Sequence, residues 1–527
     1  MKPLAKLTLI GAFCSAAVFP QHVQHNAPAN PAGSDPIELV STDAIGSRRV
    51  ATSNKQAQAF FDQGLTLYYA FNDGDAVRSF RRAAQLDPQL AMAYWGIAIA
   101  AYPRSTGGGN PGDEKRLNEA RDAIKTAMSM PAPPSDRKYI EALSKLLPDE
   151  AGYNRKASED AYREAMKPIY EASPRDADAA ALYALSIFYS AGYSNWTRDG
   201  EPVGRWPEML AVLEAGLKLH PKHVGLTHTY IHGVEESMQP ERALAAADAL
   251  RGLKIFIPSF GHLVHMPAHI YVRTGNFQRS IESNEETATM PTDTLSEEFR
   301  LWHYNHVLNF LLFSYAMQGN FARVTHTLDR KFGFRSPRAS DQRPRYWVRF
   351  KRWDDILKAP APPADSRPET LKAWTWARAM AHIATGDATR AQAERPKDTT
   401  DLSPLRKIDD ARIDAAIARQ KGDKAAEIDF LRDAVDAEDT LPYSEPPLSI
   451  APVRENLGGA LLRDGQFVEA EKTLREDLRR NPGSGRSLFG LMKALEAQGK
   501  RDEAATVEKR YREAWKYADI TLTVEDL

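Results

Sequence analysis

One spacing of small and apolar residues recurs along the 527-residue chain and constrains its fold more than any other feature. In the first copy the offsets are 0, 3, 12, 16, 19 and 24 residues, and the members are Gly64, Leu67, Ala76, Phe80, Ala83 and Pro88. Small residues such as Gly64 and Ala76 let two neighbouring helices approach closely, and a proline ends the second helix. The pattern therefore predicts antiparallel pairs of helices joined by short turns.

The same spacing returns late in the sequence, and weaker copies lie between. Its members there are Gly458, Leu461, Gly465, Ala470, Leu474 and Pro482, and another copy begins at Gly499 and Ala504. The pattern resembles the tetratricopeptide repeat (TPR), a helical hairpin of about 34 residues. The resemblance implies an all-α fold, a right-handed TPR-type α-solenoid over most of residues 53–515, whose hairpins bury their faces on one another. It also implies a protein or peptide partner, because such binding is common to TPR proteins.

Proline-rich segments indicate where this solenoid is interrupted. The strongest linker candidate is 357–368, which contains Lys358-Ala-Pro-Ala-Pro-Pro. Such a run favours an extended connection over a helix. The sequence therefore predicts an N-terminal TPR lobe at 53–356, a linker at 357–368 and a C-terminal TPR lobe at 369–527.

The first fifty residues have the pattern of an exported protein. Lys2 and Lys6 precede an apolar run at 7–19, which is typical of a signal peptide over residues 1–20 and too short for a membrane span. Residues 21–52 read as a flexible leader. Cys14 follows the bulky Phe13, so lipidation at Cys14 is the less favoured interpretation. We expect a periplasmic or secreted protein that is not an integral membrane protein.

Charge and motifs exclude several classes of function. The chain has 69 Lys+Arg and 70 Asp+Glu, a formal charge of -1, which argues against a nucleic-acid partner. Neither a glycine-rich phosphate loop nor a dinucleotide fingerprint occurs in the sequence, so we expect no nucleotide cofactor. With Cys14 the single cysteine, a four-cysteine zinc site is excluded.

Histidines carry the main indication of function. Nine of the 13 fall within one stretch, at positions 220, 223, 228, 232, 262, 265, 269, 303 and 306. Two pairs, His228 with His232 and His265 with His269, are spaced i,i+4, which places both imidazoles on one face of a helix. Both members of the second pair lie 37 residues after their counterparts in the first. The pairs therefore occupy equivalent positions, 5 and 9, in the first helices of successive hairpins.

This arrangement favours a transition-metal site. Paired helical histidines bind zinc or copper, so the predicted ligands are His228, His232, His265 and His269, with His262, His303 and His306 as further candidates. Glu235 and Glu236 lie one turn beyond His232 and are candidate general bases for a metal-bound water. The structural alternative is that the histidines are buried and merely hydrogen-bonded.

Two local features leave the geometry open. Pro267 distorts or starts its helix, so that either the i,i+4 pair is spoiled or His265 approaches from an entering loop. The run Tyr443-Ser444-Glu445 is either a loop that reaches into the groove between the lobes, with Arg454 nearby in sequence, or a structural turn. The turn is the favoured interpretation.

Aromatic residues beside the histidines would give the groove its walls. These partner-binding candidates are Tyr230, Tyr271, Trp302 and Tyr304. Aromatic residues at helical spacing more often belong to a core.

Several segments also resemble a bacterial family of exported TPR proteins. The resemblance rests on Tyr230-Ile-His-Gly-Val-Glu-Glu, Gly261-His-Leu-Val-His-Met-Pro-Ala-His, Val348-Arg-Phe-Lys-Arg-Trp and Pro452-Val-Arg-Glu-Asn-Leu-Gly. The His-Met-Pro-Ala-His run is its most specific part. The family has no settled activity, so the resemblance implies a site and not a reaction.

The sequence thus predicts an exported TPR-repeat protein that binds a protein or peptide in its concave groove and carries a histidine-based zinc or copper site. The alternative is a metal-dependent enzyme, hydrolytic or redox, that uses the same site.

Overall fold

A computed structural model describes residues 37–41, 44–104, 110–149, 153–191, 195–291, 295, 297–333, 342–395, 401 and 403–527. Over these residues the chain is mostly helical, and its β-structure is limited to an isolated bridge between Trp196 and Pro202. The predicted all-α fold is confirmed. The predicted signal peptide at 1–20, Cys14 and the leader as far as residue 36 lie outside the described residues.

The helices follow one another in antiparallel pairs. The first group is α1 (Lys55–Tyr69), α2 (Asp73–Leu86), α3 (Ala91–Ala101), α4 (Glu114–Ser129), α5 (Pro134–Leu146), α6 (Arg155–Glu171), α7 (Ala177–Ala191) and α8 (Trp206–Leu219). The middle group is α9 (Val224–Val234), α10 (Leu244–Gly252), α11 (Gly261–His265), α12 (Pro267–Arg273), α13 (Phe277–Ala288), α14 (Glu297–Met317) and α15 (Phe321–Gly333).

The remaining helices continue the same alternation. They are α16 (Arg343–Arg349), α17 (Trp353–Lys358), α18 (Pro368–Ala384), α19 (Ala388–Glu394), α20 (Pro404–Gln420), α21 (Lys424–Glu438), α22 (Val453–Arg463), α23 (Phe467–Arg480), α24 (Gly485–Ala497) and α25 (Arg501–Ala514). A short 3-10 helix, Val524–Asp526, follows them.

The repeat glycines lie where helices touch, as the spacing predicts. Phe80 of α2 fits between Gly64 of α1 and Gly96 of α3, and a Cβ on Gly64 would lie 2.8 Å from its ring. In the late copy a Cβ on Gly458 would lie 2.5 Å from a methyl group of Leu474. These contacts bury each hairpin on itself and on its neighbour, which is how a solenoid builds a continuous core.

Turns between paired helices share one backbone conformation. The residue two positions before the second helix has a positive φ, and it is glycine at Gly275, Gly319, Gly386, Gly422, Gly465 and Gly499. Glycine takes this left-handed conformation without steric cost. Phe71 (φ 58°) and Lys351 (φ 54°) occupy the same turn position in their hairpins. For bulky residues this conformation is strained, and such strain tends to be kept at functional positions.

The segment 357–368 contains a helix-free stretch, with α17 ending at Lys358 and α18 beginning at Pro368. Helices on both sides of it share one apolar cluster, in which Ile356 packs with Trp376 and Ile413. The division into two lobes at this segment stays a prediction.

Late helices also contact the middle of the chain. The turn at Gly275 lies so close to Pro482 that a Cβ on Gly275 would be 2.1 Å from the Pro482 carbonyl oxygen. Arg349 pairs with the buried Glu455 at 3.0 Å. The loop between α21 and α22 lies beside α12, where Glu445 contacts His269 and Tyr443 lies under Arg273. None of the described helices combines the length and apolar character that a membrane span requires.

Candidate metal centre

The first helices of three consecutive hairpins carry seven of the nine clustered histidines. His228 and His232 are the fifth and ninth residues of α9, and His265 and His269 are the fifth and ninth counted from Gly261 at the start of α11. The equivalence predicted from the 37-residue spacing is present in the helices. His303 and His306 lie in α14, the next first helix.

Pro267 removes one hydrogen-bond donor, but the backbone remains helical across it. It is the first residue of α12, but the preceding Met266 has helical angles (φ -49°, ψ -38°) and α11 is helical up to His265. His265 therefore does not approach from a loop, and that alternative is wrong. The Nε2 atoms of His265 and His269 are 2.8 Å apart, so the i,i+4 pairing survives the proline.

The first group of converging ligand atoms is His228, His232 and His262. Nε2 of His228 lies 3.1 Å from Nε2 of His232, and one ring nitrogen of each of the three histidines lies within 4.8 Å of the others. His262 is 2% exposed, and neither of its ring nitrogens has a hydrogen-bond partner among the described residues. Buried polar groups without partners are rare and costly, so this imidazole is placed as a ligand would be.

The second group is His265, His269 and His306, whose ligand atoms also lie within 4.8 Å of one another. Nε2 of His306 is 3.4 Å from Nε2 of His269. His303 is buried beside both groups, with its ring centroid 5.4 Å from that of His262, but it belongs to neither. The described structure thus divides six of the seven predicted ligand candidates into two trios.

Oxygen acceptors orient four of these rings through hydrogen bonds to Nδ1, the nitrogen that faces away from the trio. Nδ1 of His228 donates to the backbone carbonyl oxygen of Tyr69, and Nδ1 of His265 to the side-chain oxygen of Asn284 at 2.6 Å. The amide nitrogen of Asn284 donates to the Ser280 carbonyl oxygen, which leaves its oxygen for His265. A carbonyl oxygen only accepts, so each Nδ1 carries the proton and each Nε2 presents a lone pair to the trio.

Glu235 serves one histidine of each trio. One carboxylate oxygen accepts from Nδ1 of His232 at 2.7 Å and the other from Nδ1 of His269 at 2.6 Å. Glu445, on the loop between α21 and α22, lies 2.5 Å from the same Nδ1 of His269. Histidines that bind metals usually donate their second ring nitrogen to such acceptors, which fixes the tautomer and the ring orientation.

The distances between ring atoms distinguish the Nε2 side of these rings, which can bind a metal, from the Nδ1 side, which forms hydrogen bonds. Around an ion with bonds of about 2.0–2.1 Å to imidazole, tetrahedral geometry sets neighbouring nitrogens about 3.3 Å apart. The Nε2 separations of 2.8–3.4 Å are close to this value. In a further possible group of His232, Glu235, His269 and Glu445, each of the three histidine–carboxylate contacts measures 2.5–2.7 Å. These distances suit hydrogen bonds better than shared ligation.

Burial keeps most of these histidines neutral. It lowers the pKa of His228, His262 and His265 well below the usual value, and neighbouring histidines lower it further. Burial also lowers the pKa of His303 to about 3. A neutral imidazole is the form that binds a metal ion.

The exception is the part of the cluster that contains the two carboxylates. Burial alone would lower the pKa of His269, but Glu445 and Glu235 outweigh it and raise that pKa to about 10. Burial opposes ionisation of Glu235 as well, yet His232 and His269 hold its pKa well below normal. Burial and the nearby Glu235 raise the pKa of Glu445 to about 7.

Aromatic rings pack against the histidines. Phe71 stacks on His232 with centroids 5.6 Å apart and an interplanar angle of 3°. Phe310 lies 4.7 Å from His269, and Trp302 stacks on His306 at 6.1 Å. The guanidinium of Arg104, itself paired with the buried Asp73, lies 4.5 Å from the centre of the Phe71 ring.

Of the four aromatic residues predicted to wall the groove, the structure brings Trp302 to the histidines and directs the other three elsewhere. Tyr230 donates to Glu214 and Tyr271 to Asp248, each at 2.7 Å, and Tyr304 to the carbonyl oxygen of Ala288 at 3.2 Å. Their partners lie on α8, α10 and α13, so these hydroxyls tie first helices to second helices. A role for the tyrosines in partner binding stays a prediction.

Glu445 is the residue of the candidate site to which the sequence analysis gave too little weight. The favoured interpretation of its segment as only a turn is wrong, because its carboxylate reaches His269. Its one sequence signal was an acidic residue in a proline-rich break between repeats. Arg454 pairs instead with Asp439 at 2.8 Å.

The two glutamates proposed as bases differ in position. Glu235 is fully engaged with two histidines, whereas burial raises the pKa of Glu236 to about 7. A general-base role for either stays a prediction.

Comparisons with known proteins find only distant structural likeness. The chain matches no protein-family model, and no curated protein is significantly similar to it in sequence. Among solved structures, the human IFIT1 dimer with m7Gppp-AAAA aligns over 88% of this chain and 91% of its own, at 14% identity and a TM-score of 0.32. The Cut9-Hcn1 hetero-tetramer of the APC/C aligns over 89% of this chain and 75% of its own, at 12% identity and a TM-score of 0.31. Yeast Tom70 aligns over 89% of this chain and 93% of its own, at 15% identity and a TM-score of 0.24. Likeness at this level supports no statement about function.

Proposed function

We propose that this protein is a TPR-type scaffold that holds two transition-metal ions in its buried histidine cluster, one in each trio. The observation that carries the proposal is the approach of the Nε2 atoms to 2.8–3.1 Å in two i,i+4 pairs whose Nδ1 atoms all face oxygen acceptors, so that neutral rings would point lone pairs at each other. Two facing lone pairs repel each other at this distance. A cation between them removes the repulsion.

A proton is the competing cation. One imidazolium in each pair could donate Nε2–H to its neighbour, with Glu235 and Glu445 balancing the charge. That alternative leaves His262 unexplained, since neither of its nitrogens has a partner among the described residues. A metal ion bound by His228, His232 and His262 gives this ring a role.

The donor set indicates which ions to expect. Each trio offers three imidazoles and no thiolate, and imidazole suits zinc and copper among the available transition metals. Three histidines with a further position open is also the ligand number of catalytic zinc sites.

The experiment is elemental analysis of protein purified without chelator and without a histidine tag. We expect about two ions per chain, and a large loss in a variant that combines His232→Ala with His269→Ala. His326, an exposed histidine remote from the cluster in sequence, provides the control His326→Ala, which should retain the metal. Substoichiometric metal that is unchanged by the double substitution would overturn the proposal.

Metal-dependent catalysis is the second candidate, and the exposure of the cluster on one side favours it. The side chains of His232 and Glu445 are 13% and 20% exposed, whereas His269 is 1% exposed. A small molecule could reach the open coordination position from that side, where the ion would act as a Lewis acid toward it. Hydrolysis of model esters that needs the metal and fails in the double variant would support this function.

Export and partner binding complete the proposal. The lysine-flanked apolar run at 7–19 supports export to the periplasm or the medium. The helical repeats support binding of a protein or peptide in the concave groove. Fractionation of the expressing cells tests export. Recovery of a partner in equal amounts with and without metal would show that partner binding and metal binding are independent.

A further inference from the structure

The segment 515–527 turns back from α25 across the rest of the chain. The Asp519 carboxylate accepts from the backbone amides of Phe321 at 2.8 Å and Ala322 at 2.7 Å, at the start of α15. Beyond this anchor, residues 521–527, here named the acidic segment, lie on α22. Its last three residues are Glu525, Asp526 and Leu527.

Four basic side chains from separate helices and turns hold the acidic segment. Lys351 Nζ donates to Asp526 at 2.9 Å and to the Glu525 carbonyl oxygen at 2.6 Å, and Arg419 pairs with the Glu525 carboxylate. Arg463 and Arg486 bind backbone instead. Arg463 donates to the carbonyl oxygens of Val524 and Leu527 at 3.0 and 3.2 Å, and Arg486 to that of Asp526 at 2.7 Å.

An apolar contact adds a second kind of recognition. Leu527 is 3% exposed and packs where two helices lack side chains. A Cβ on Gly459 of α22 would lie 2.5 Å from the Leu527 Cβ, and one on Gly490 of α24 would lie 2.9 Å from a Leu527 methyl group. Glycine destabilises a helix interior relative to alanine, so Gly459 indicates a surface shaped for this leucine, and Gly490 makes room for both Leu527 and Leu474.

The basic residues lie close enough to repel one another, although Arg463 is also paired with Glu427 of α21 at 2.6 Å. Burial and the neighbouring Arg419 lower the pKa of Arg463, and burial and Arg349 lower that of Arg486 to about 10. Lys351, moreover, holds the strained left-handed turn position that is glycine in other hairpins. A side chain kept at this cost points to a role for its ammonium group.

We propose that this surface, formed by Lys351, Arg419, Arg463, Arg486, Gly459 and Gly490, is a peptide-binding groove that accepts two consecutive acidic residues followed by leucine. In the structure the acidic segment fills the groove from its own chain. A partner that presents the same three residues competes for it. The contacts are two carboxylates, four backbone carbonyls and one leucine, all of which a segment of another protein can supply. The proposal does not depend on the histidine cluster.

The test frees the groove in the full-length chain. Glu525→Lys combined with Asp526→Lys removes the ion pairs of the acidic segment and leaves every groove residue in place. A fluorescent peptide of residues 521–527, acetylated and amidated, should then bind this variant and bind the unsubstituted protein at least about tenfold more weakly. Adding Arg463→Gln to the freed variant should reduce peptide affinity by about tenfold, the value of a lost charge-assisted hydrogen bond.

A matched peptide and a second measurement keep the outcome decisive. The peptide with Lys in place of both acidic residues should not bind. Equal binding of both peptides, or no binding to a freed variant that melts as the parent does, would overturn the proposal. If the freed variant does not fold, hydrogen exchange of the unsubstituted protein decides: excess peptide should accelerate exchange of amides 522–527, and unchanged exchange contradicts the groove.

Discussion

Phe71 shows how much of the candidate metal centre depends on one side chain. Its left-handed backbone (φ 58°) directs the ring onto His232, with His228 at 4.4 Å and His262 at 5.8 Å between ring centroids. Glycine occupies the equivalent position of six other turns, so the local fold does not require phenylalanine. We infer that the ring is kept to exclude water from the trio.

Two substitutions separate the ring from the strain. Phe71→Ala should lower the free energy of unfolding by about 3–5 kcal/mol, because it leaves a cavity and keeps a side chain at positive φ. Phe71→Gly loses the same ring but relieves the strain, so it should be about 1 kcal/mol more stable than Phe71→Ala. Urea unfolding of the two variants measures the difference. A Phe71→Ala variant as stable as the parent would contradict this role for the ring.

Glu235 allows the positioning of the histidines to be tested without removing a ligand. In Glu235→Gln one oxygen can still accept from a histidine, but the amide group cannot accept from the second Nδ1. Metal affinity should fall by about 10–100-fold, as for other residues that orient metal ligands. Competition with a chromophoric chelator measures it.

The neighbouring glutamate provides the control for that experiment. Glu236 contacts none of the histidines in the described structure, so Glu236→Gln should bind metal as the parent does. Equal loss of affinity in both variants would show that general charge, and not the two hydrogen bonds of Glu235, sets the affinity.

At the scale of helices, the sequence predicted the helical positions of the histidines better than it predicted the residues that contact them. The 37-residue offset placed both histidine pairs at the correct helical positions because repeat spacing and helix geometry are local properties. Glu445 could not be assigned in this way, since its approach to His269 depends on how α21, α22 and α12 pack. The left-handed Phe71 and Lys351 lack a local signal as well, because sequence patterns expect glycine there.

Glu455 of α22 and Asp477 of α23 form a buried carboxyl pair, which should make the stability of the late repeats depend on pH. Burial and the nearby Glu455 raise the pKa of Asp477 from 3.8 to about 7. A carboxyl group with a raised pKa binds its proton more tightly in the folded state. The stability that Asp477 contributes is therefore fully present below about pH 4 and is lost as the pH rises through about 7.

Asp477→Asn should remove this dependence, because the amide stays neutral and can keep the hydrogen bonds with Ser487 and Asn481. At pH 8 the variant should be more stable than the parent by about 1–3 kcal/mol, with the difference vanishing near pH 4. Urea midpoints from pH 4 to 8 measure it. The exposed Asp502→Asn should show no such trend, and a difference between Asp477→Asn and the parent that does not grow between pH 4 and 8 would contradict the assignment.

Across the whole molecule, the contact between the turn at Gly275 and the loop at Pro482 joins the histidine-bearing helices to the late repeats. Two alanine substitutions measure how much this contact contributes to the stability of the fold. Gly465→Ala introduces only backbone strain of about 1–2 kcal/mol, since nothing lies within 4 Å of its Cβ. Gly275→Ala adds a clash with the Pro482 carbonyl oxygen. It should destabilise the protein at least twice as much, and it should also weaken metal binding by displacing Glu445.

Thermal unfolding with and without metal measures both effects. Equal destabilisation by Gly275→Ala and Gly465→Ala would mean that the contact between the two parts of the chain contributes little to the fold.

The central claim is that two metal ions lie among the Nε2 atoms of the two histidine trios. Anomalous diffraction at the absorption edge of the bound metal, recorded on crystals of the unsubstituted protein, locates the ions directly. We predict one peak among His228, His232 and His262 and a second among His265, His269 and His306. Absence of any peak in the cluster, or a single peak on the Nδ1 side between Glu235 and Glu445, would contradict the claim.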